Sequence, residues 1–166
     1  MSALTIRDAV ESDLSAIVEI YNSTIPGHMV TADTEPVTVE SRLPWFREHR
    51  PGFRPLWVAE IDGRIVAWLS FSSFYGRPAY NATAEISIYV APEYRLNGIG
   101  RELLQRSIDH APSIGIRTLL GFIFAHNEPS LRLFRRYGFE EWAHLPDVAE
   151  LDGIERSLLI LGKRVK

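Results

Sequence analysis

The stretch from Thr83 to Arg101 restricts the fold more than any other part of the chain. Residues Thr83–Val90 alternate: Ala84, Ile86, Ile88 and Val90 take one side, and Glu85, Ser87 and Tyr89 take the other. That is the period of a strand. Pro92 stops it, and a short loop runs to Gly98 and Gly100. A helix follows, with Ile99, Leu103, Leu104, Ile108 and Ala111 as its apolar stripe. The first N–H groups of a helix have no partner inside it and sit at the positive end of its dipole. Glycine at that point removes the Cβ that would hold an anion away. The residues therefore suggest a diphosphate cradle made of the amides of Leu96, Asn97, Gly98, Ile99, Gly100 and Arg101, with charge added by Arg95 and Arg101. On the glycines alone, a softened helix start is the other reading. Two common phosphate loops are excluded. Gly100 is followed by Arg101 and Glu102 rather than by Lys and Ser/Thr, and position 103 is Leu where a dinucleotide fingerprint needs its third glycine.

The rest of the pattern surrounds this turn. Leu4–Arg7 reads as a first strand. A helix opens at Glu11-Ser12-Asp13 and carries Leu14, Ile17, Val18 and Tyr21 on one stripe. A loop precedes a second helix over Val39–His49. Strands Leu56–Ile61 and Arg64–Ser73 flank the hairpin signal Asp62-Gly63. After the Thr83–Val90 strand and its helix, Arg117–Phe124 is apolar enough to be covered on both faces. Asn127–Tyr137 is helical, and Gly138 is placed to stop it. Strands over Glu140–Leu145 and Glu155–Leu161 close the chain around Asp152-Gly153. This order predicts an α/β fold with a mixed, mostly antiparallel sheet of about seven strands and helices on both faces.

The 166 residues suit one domain over 1–166. A net charge of −3 gives no basic surface for nucleic acid, and Arg132, Arg135 and Arg136 read as a solvated helix face. There is no cysteine, which excludes disulfides, thiolate metal sites and a Cys nucleophile. His28, His49, His110, His126 and His144 lack metal-ligand spacing, so no metal is expected. No apolar run reaches membrane-spanning length, and the stretch from Met1 to Arg7 has no apolar leader core. The expectation is a cytoplasmic protein.

Several motifs together resemble one family. Arg95-Leu96-Asn97-Gly98-Ile99-Gly100 is similar to the Arg/Gln-x-x-Gly-x-Gly/Ala signature of the GNAT N-acetyltransferases. Asn127-Glu128-Pro129-Ser130 and Tyr137-Gly138-Phe139 resemble its later elements. Upstream, Thr34-Glu35-Pro36, Val58-Ala59-Glu60, Arg77-Pro78-Ala79-Tyr80 and Thr83-Ala84-Glu85-Ile86-Ser87-Ile88-Tyr89-Val90 resemble the phosphinothricin and methionine-sulfone/sulfoximine acetyltransferases of that family.

The resemblance implies acetyl-CoA as donor. Its pantetheine would lie along Ile88, Tyr89 and Val90, its diphosphate on residues 95–101, and Asn127 and Ser130 on the far side. It implies Glu85 as proton acceptor, directly or through a water, for direct attack by a small amine in a ternary complex. Without it, a paired structural strand carboxylate is the favoured reading of Glu85. It further implies a substrate site with Thr34, Glu35, Phe74, Tyr75, Arg77, Tyr80, Thr83, Glu85 and Ser87, and a homodimer. Three features depart from the pattern. Phe134 stands where relatives carry Tyr or His, so no general acid is assigned. Asn81 replaces an Arg that can hold a carboxylate. Leu151–Ser157 lacks an aromatic-rich ending. These departures keep an acyl-CoA-binding sensor as the non-catalytic alternative, and a peptide or protein amine acetyltransferase as the other enzyme.

Overall fold

The computed structural model describes residues 3–165, so Met1 and Ser2, where the leader reading begins, lie outside the described residues. Seven strands form one sheet in the order β1-β2-β3-β4-β5-β7-β6. They are β1 (Thr5–Asp8), β2 (Leu56–Ile61), β3 (Arg64–Ser73), β4 (Thr83–Val90), β5 (Thr118–Phe124), β6 (Glu140–Leu151) and β7 (Ile154–Arg164). Every neighbouring pair is antiparallel except β4 with β5. The helices are α1 (Leu14–Ser23), α2 (Val39–Arg47), α3 (Ile99–His110) and α4 (Glu128–Arg136).

Helices cover both faces, as the order of elements predicts. Leu14, Ile17 and Val18 of α1 pack with Val58 and Trp68 on one face, and Leu43, Trp45 and Phe46 of α2 join them. Ile99, Leu103 and Leu104 of α3 and Leu131 and Phe134 of α4 pack on Ala84, Ile86, Leu119 and Leu161 on the other.

Local chemistry fixes the element ends. Thr38 and Ser41 cap α2 reciprocally: each side-chain oxygen accepts from the other's backbone N–H, at 3.1 Å for Thr38 Oγ1 and 3.2 Å for Ser41 Oγ. Asp62-Gly63 and Asp152-Gly153 turn their hairpins with both residues at positive φ. At the end of α4, Phe139 N donates to Phe134 O and Gly138 N to Arg135 O, while the Phe134 and Phe139 rings meet 4.9 Å apart. This is the left-handed helix stop with its apolar clasp.

The last two strands run further than the sequence suggests. Proline at 146 argues against a continuing strand, yet β6 reaches Leu151. The register shifts between Leu145 and Ala149, and Asp147 takes a φ of 50°. Pro146 sits in that bulge, where its missing N–H interrupts no ladder bond.

Candidate active site

β4 and β5 part company halfway along. Their parallel ladder runs from Thr83 opposite Thr118 to Glu85 opposite Leu120, and no further. Beyond that point β4 stays with β3 up to Val90 opposite Ala67, held by the stacked Trp68 and Tyr89 rings 4.5 Å apart. β5 stays with β7 up to Phe124 opposite Leu158. The facing edges diverge and enclose a cleft of about 590 Å³. Backbone groups on these edges have no strand to bond, so an extended ligand with its own amides can pair there.

The loop after β4 closes one end of this cleft. Leu96 and Gly98 both take positive φ, 69° and 78°, and Gly98 caps α3. The first bond of α3 runs from Glu102 N to Gly98 O at 3.1 Å. The amides of Ile99, Gly100 and Arg101 thus precede the first intrahelical donor. Arg101 folds back over the turn, its Nη2 2.8 Å from where a Cβ on Gly98 would stand. The cleft lining carries Arg95, Arg101 and Arg136 and no acidic residue. Ile88, Tyr89, Val90, Leu96, Gly98, Ile99, Gly100, Asn127 and Ser130 line it too, whereas Asn97 does not. A positive rim, free helix-start amides and an unpaired strand edge fit a diphosphate carrying an amide-rich arm.

Asn127 lines the cleft with its amide already committed. Its Oδ1 accepts from Ser130 N at 3.4 Å, and its Nδ2 donates to Met29 O at 3.2 Å. His126 Nε2 lies 2.8 Å from His28 O. These two residues tie the α1–α2 loop across the end of β5, so that Thr24, Met29 and Val30 join the cleft lining.

On the opposite sheet face, Glu85, Ser87 and Tyr89 lie opposite Ser72, Ser70 and Trp68 of β3. The Glu85 carboxylate has no hydrogen-bond or ion-pair partner among the described residues, and burial pushes its pKa up to about 6. Burial also raises the Tyr89 hydroxyl, with help from Tyr21 and Glu85 nearby. Beside this face a second cavity of about 150 Å³ is bounded by α1, α2, β3 and β4. Ser87 and Tyr89 line both cavities and form the wall between them.

Several residues expected at a substrate site lie elsewhere. Thr34, Glu35, Phe74, Tyr75, Arg77, Tyr80, Thr83 and Glu85 line neither cavity, although Ser87 and Tyr89 on the Glu85 face of β4 line both. The Phe74, Tyr75 and Tyr80 rings pack on one another with centroids 4.3–5.7 Å apart, and Tyr75 is 76% exposed. Arg54, 3% exposed, anchors that loop through Ser73 Oγ at 3.1 Å and Asn81 O at 3.0 Å. Conversely, Tyr21, Arg42, Trp45, Ser70 and Ser72 line the small cavity without having been expected there. Ser70 and Ser72 are hydroxyls spaced by two on one face of β3, a signal that could have found them. Arg42 and Trp45 share a helix face, but no spacing told which face looked inward. Among the described residues no group of three or more metal-ligating side chains occurs, and no helix is long and apolar enough to cross a membrane.

Residues 15–139 match the acetyltransferase (GNAT) family. YwnH of Bacillus subtilis (strain 168), provisionally named a phosphinothricin acetyltransferase, is 54% identical over 163 residues, spanning 98% of this chain and 99% of that protein. The L-methionine sulfoximine/L-methionine sulfone acetyltransferase of Salmonella typhimurium is 32% identical over 145 residues, 87% of this chain and 85% of that one. A GNAT-superfamily phosphinothricin acetyltransferase from Sinorhizobium meliloti, solved in complex with acetyl-CoA, superposes with a TM-score of 0.92 at 28% identity, covering 99% of this chain and 89% of that one.

Proposed function

Since the chain belongs to the GNAT acetyltransferase family, we propose that it acetylates the amine of a small amino-acid-like substrate, of the phosphinothricin, methionine sulfone or methionine sulfoximine type. It is an acetyltransferase using acetyl-CoA, as its family and named relatives are. When bound, acetyl-CoA supplies an activated thioester carbonyl. In this reading Ile88–Val90 pair with its pantetheine arm, and the amides and arginines of residues 95–101 hold its diphosphate.

One observation carries the catalytic part. Glu85 is a partly desolvated carboxylate with no partner among the described residues, placed at the last paired rung before the cleft opens. A base near pH 6 stays ionised at neutral pH and still accepts a proton from an ammonium or from an intervening water. The free amine then forms the N–C bond with the acetyl carbon as the C–S bond breaks. Glu85 keeps the one proton it took from the ammonium, and the proton that the nitrogen loses on attack goes, directly or through a water, to the departing thiolate, so that CoA leaves as the thiol. Phe134 offers no proton: its ring packs on Phe139 and covers Gly121. Transfer is direct in this reading, which agrees with the absence of cysteine.

The small second cavity favours a small acceptor over a peptide. The protein acts as a cytoplasmic homodimer in this reading, and the exposed Tyr75, Tyr80, Trp142, Val148 and Ile154 offer apolar surface for the partner. Mass-spectrometric assay with acetyl-CoA and a panel of amino acids tests the function. Acetylated product is expected; acetyl-CoA binding with no acetylated amine would leave only a sensor. Sedimentation tests the dimer, and a monomer at assay concentration removes it.

A further inference from the structure

The structure assigns to Asn22 the positioning of both substrates: it closes residues 23–36 into a strap that joins the wall of the large cleft to the wall of the small cavity, so that filling one site tightens the other. This rests on the acetyl-transfer reading above, with the donor in the cleft and the acceptor in the small cavity. Asn22 sits one residue before the end of α1 and lines neither space. Its side-chain amide bonds both backbone groups of Val37. Nδ2 donates to Val37 O at 2.9 Å, and Oδ1 accepts from Val37 N at 2.9 Å. The pair closes the neck of the loop much as a neighbouring strand would.

The strap depends on such a clasp. Among the described residues, no backbone group from 29 to 37 bonds to another backbone group. Side chains hold this stretch instead. The Tyr21 hydroxyl donates to Asp33 Oδ2 and lies 2.5 Å from Thr31 Oγ1. Thr31 Oγ1 also accepts from Asp33 N at 3.2 Å. Arg42 Nη2 donates to Asp33 Oδ2 at 3.1 Å. At the tip, His126 and Asn127 hold the carbonyls of His28 and Met29. An irregular segment with so few anchors opens locally when one of them is lost.

The same anchors tie the strap to both sites. Met29 and Val30 line the large cleft. The next residue, Thr31, is buried against the Tyr21 hydroxyl, and Asp33 bonds both Tyr21 and Arg42. Tyr21 and Arg42 line the small cavity, and so does Val37, the residue that Asn22 holds. One peptide therefore separates the donor wall from a bond to the acceptor wall. A donor packed on Met29 and Val30 fixes the strap, and an acceptor then meets Tyr21, Val37 and Arg42 already in place. The strap loses its freedom once for two ligands, which makes the coupling positive and equal in both directions.

The test titrates the purified protein by calorimetry with the amino acid of the panel that it acetylates fastest, with and without saturating CoA, which carries no acetyl group to transfer. The parent should bind that amino acid about 5- to 50-fold more tightly when CoA is present, and CoA should gain the same factor at saturating amino acid. Asn22→Ala should bring both factors to within about 2-fold of one, and raise KM for both substrates more than it lowers kcat. Thr31→Val removes only the hydroxyl beneath the strap and should lower the factor in part. A parent factor near one overturns the proposal while acetyl transfer stands. A factor that survives Asn22→Ala also overturns it, even where the melting temperature falls, because Asn22 then supports the fold alone. Should Asn22→Ala not fold, an unchanged factor in Thr31→Val overturns the assignment. Acetylation of no amino acid in the panel removes the acetyl-transfer reading and this inference with it.

Discussion

Glu85 and Leu120 form the last rung of the β4–β5 ladder, so a half-buried carboxylate stands at the fork where two strands separate. Neighbouring backbone pairs up to that rung and then faces open space. Burial raises the carboxylate to about 6, so it is largely ionised at neutral pH, and it shares its face of β4 with Ser87 and Tyr89, which line the cleft.

Replacing Glu85 with Gln keeps the shape and removes the base. We expect kcat to fall about 10²- to 10⁴-fold with acetyl-CoA affinity unchanged within about twofold. Steady-state kinetics together with calorimetric titration of acetyl-CoA check this. Full turnover in the variant would take Glu85 out of the mechanism.

The same carboxylate links activity and stability to pH in opposite senses. A base must be ionised, so kcat/KM should rise with pH and level off above about 6, the raised value for Glu85. For stability, burial lifts the group from its ordinary 4.5 to about 6. Between those values the folded chain holds a proton the unfolded chain has released, so stability falls as pH rises through that window. Glu85→Gln has no proton to lose. It should be more stable than the parent by on the order of 2 kcal/mol at about pH 7.5, with no such gain at about pH 4. Urea unfolding of both proteins at both pH values measures the difference; an equal gain at each would contradict the assignment.

Gly98 combines a φ of 78° with a side chain of Arg101 folded across it. Gly98→Ala adds left-handed strain of about 1 kcal/mol and displaces Arg101. Gly98→Asp adds a negative charge beside the proposed diphosphate site. Acetyl-CoA should bind the Ala variant several-fold more weakly and the Asp variant about 10- to 100-fold more weakly. Unaltered binding of both by titration would remove the cradle.

Trp142 lies flat over Gly162 of the neighbouring strand. A methyl group on Gly162 would stand 2.0 Å from Cε3 of that ring. The indole is 46% exposed and can swing outward, so Gly162→Ala should cost about 1–3 kcal/mol rather than unfold the chain. Melting temperature and tryptophan emission would report it together. Combining it with Trp142→Ala should relieve the clash, so that the two effects do not add.

Much of this protein is local. Residues Leu56–Ile61, Arg64–Ser73 and Thr83–Val90 follow the sequence pattern to the residue, because strand alternation and an Asp-Gly turn depend only on near neighbours. The glycine-opened start of α3 is likewise readable from its own few residues. The length of β6 was not, since a bulge at Pro146 depends on a partner strand to bridge it. The loop with Phe74, Tyr75 and Tyr80 was expected beside the substrate through the resemblance; in the fold its rings pack on one another, and Arg54 secures the backbone beneath.

By itself the sequence determined which segments become strands and helices, where the anion-binding turn lies and which carboxylate shares a face with Ser87 and Tyr89. Tertiary structure alone decided where β4 leaves β5 and which face of α2 brings Arg42 inward. Periodicity is written in adjacent residues, whereas the end of a ladder depends on β3 and β7 drawing their partners apart from opposite sides, a balance between segments distant in the chain.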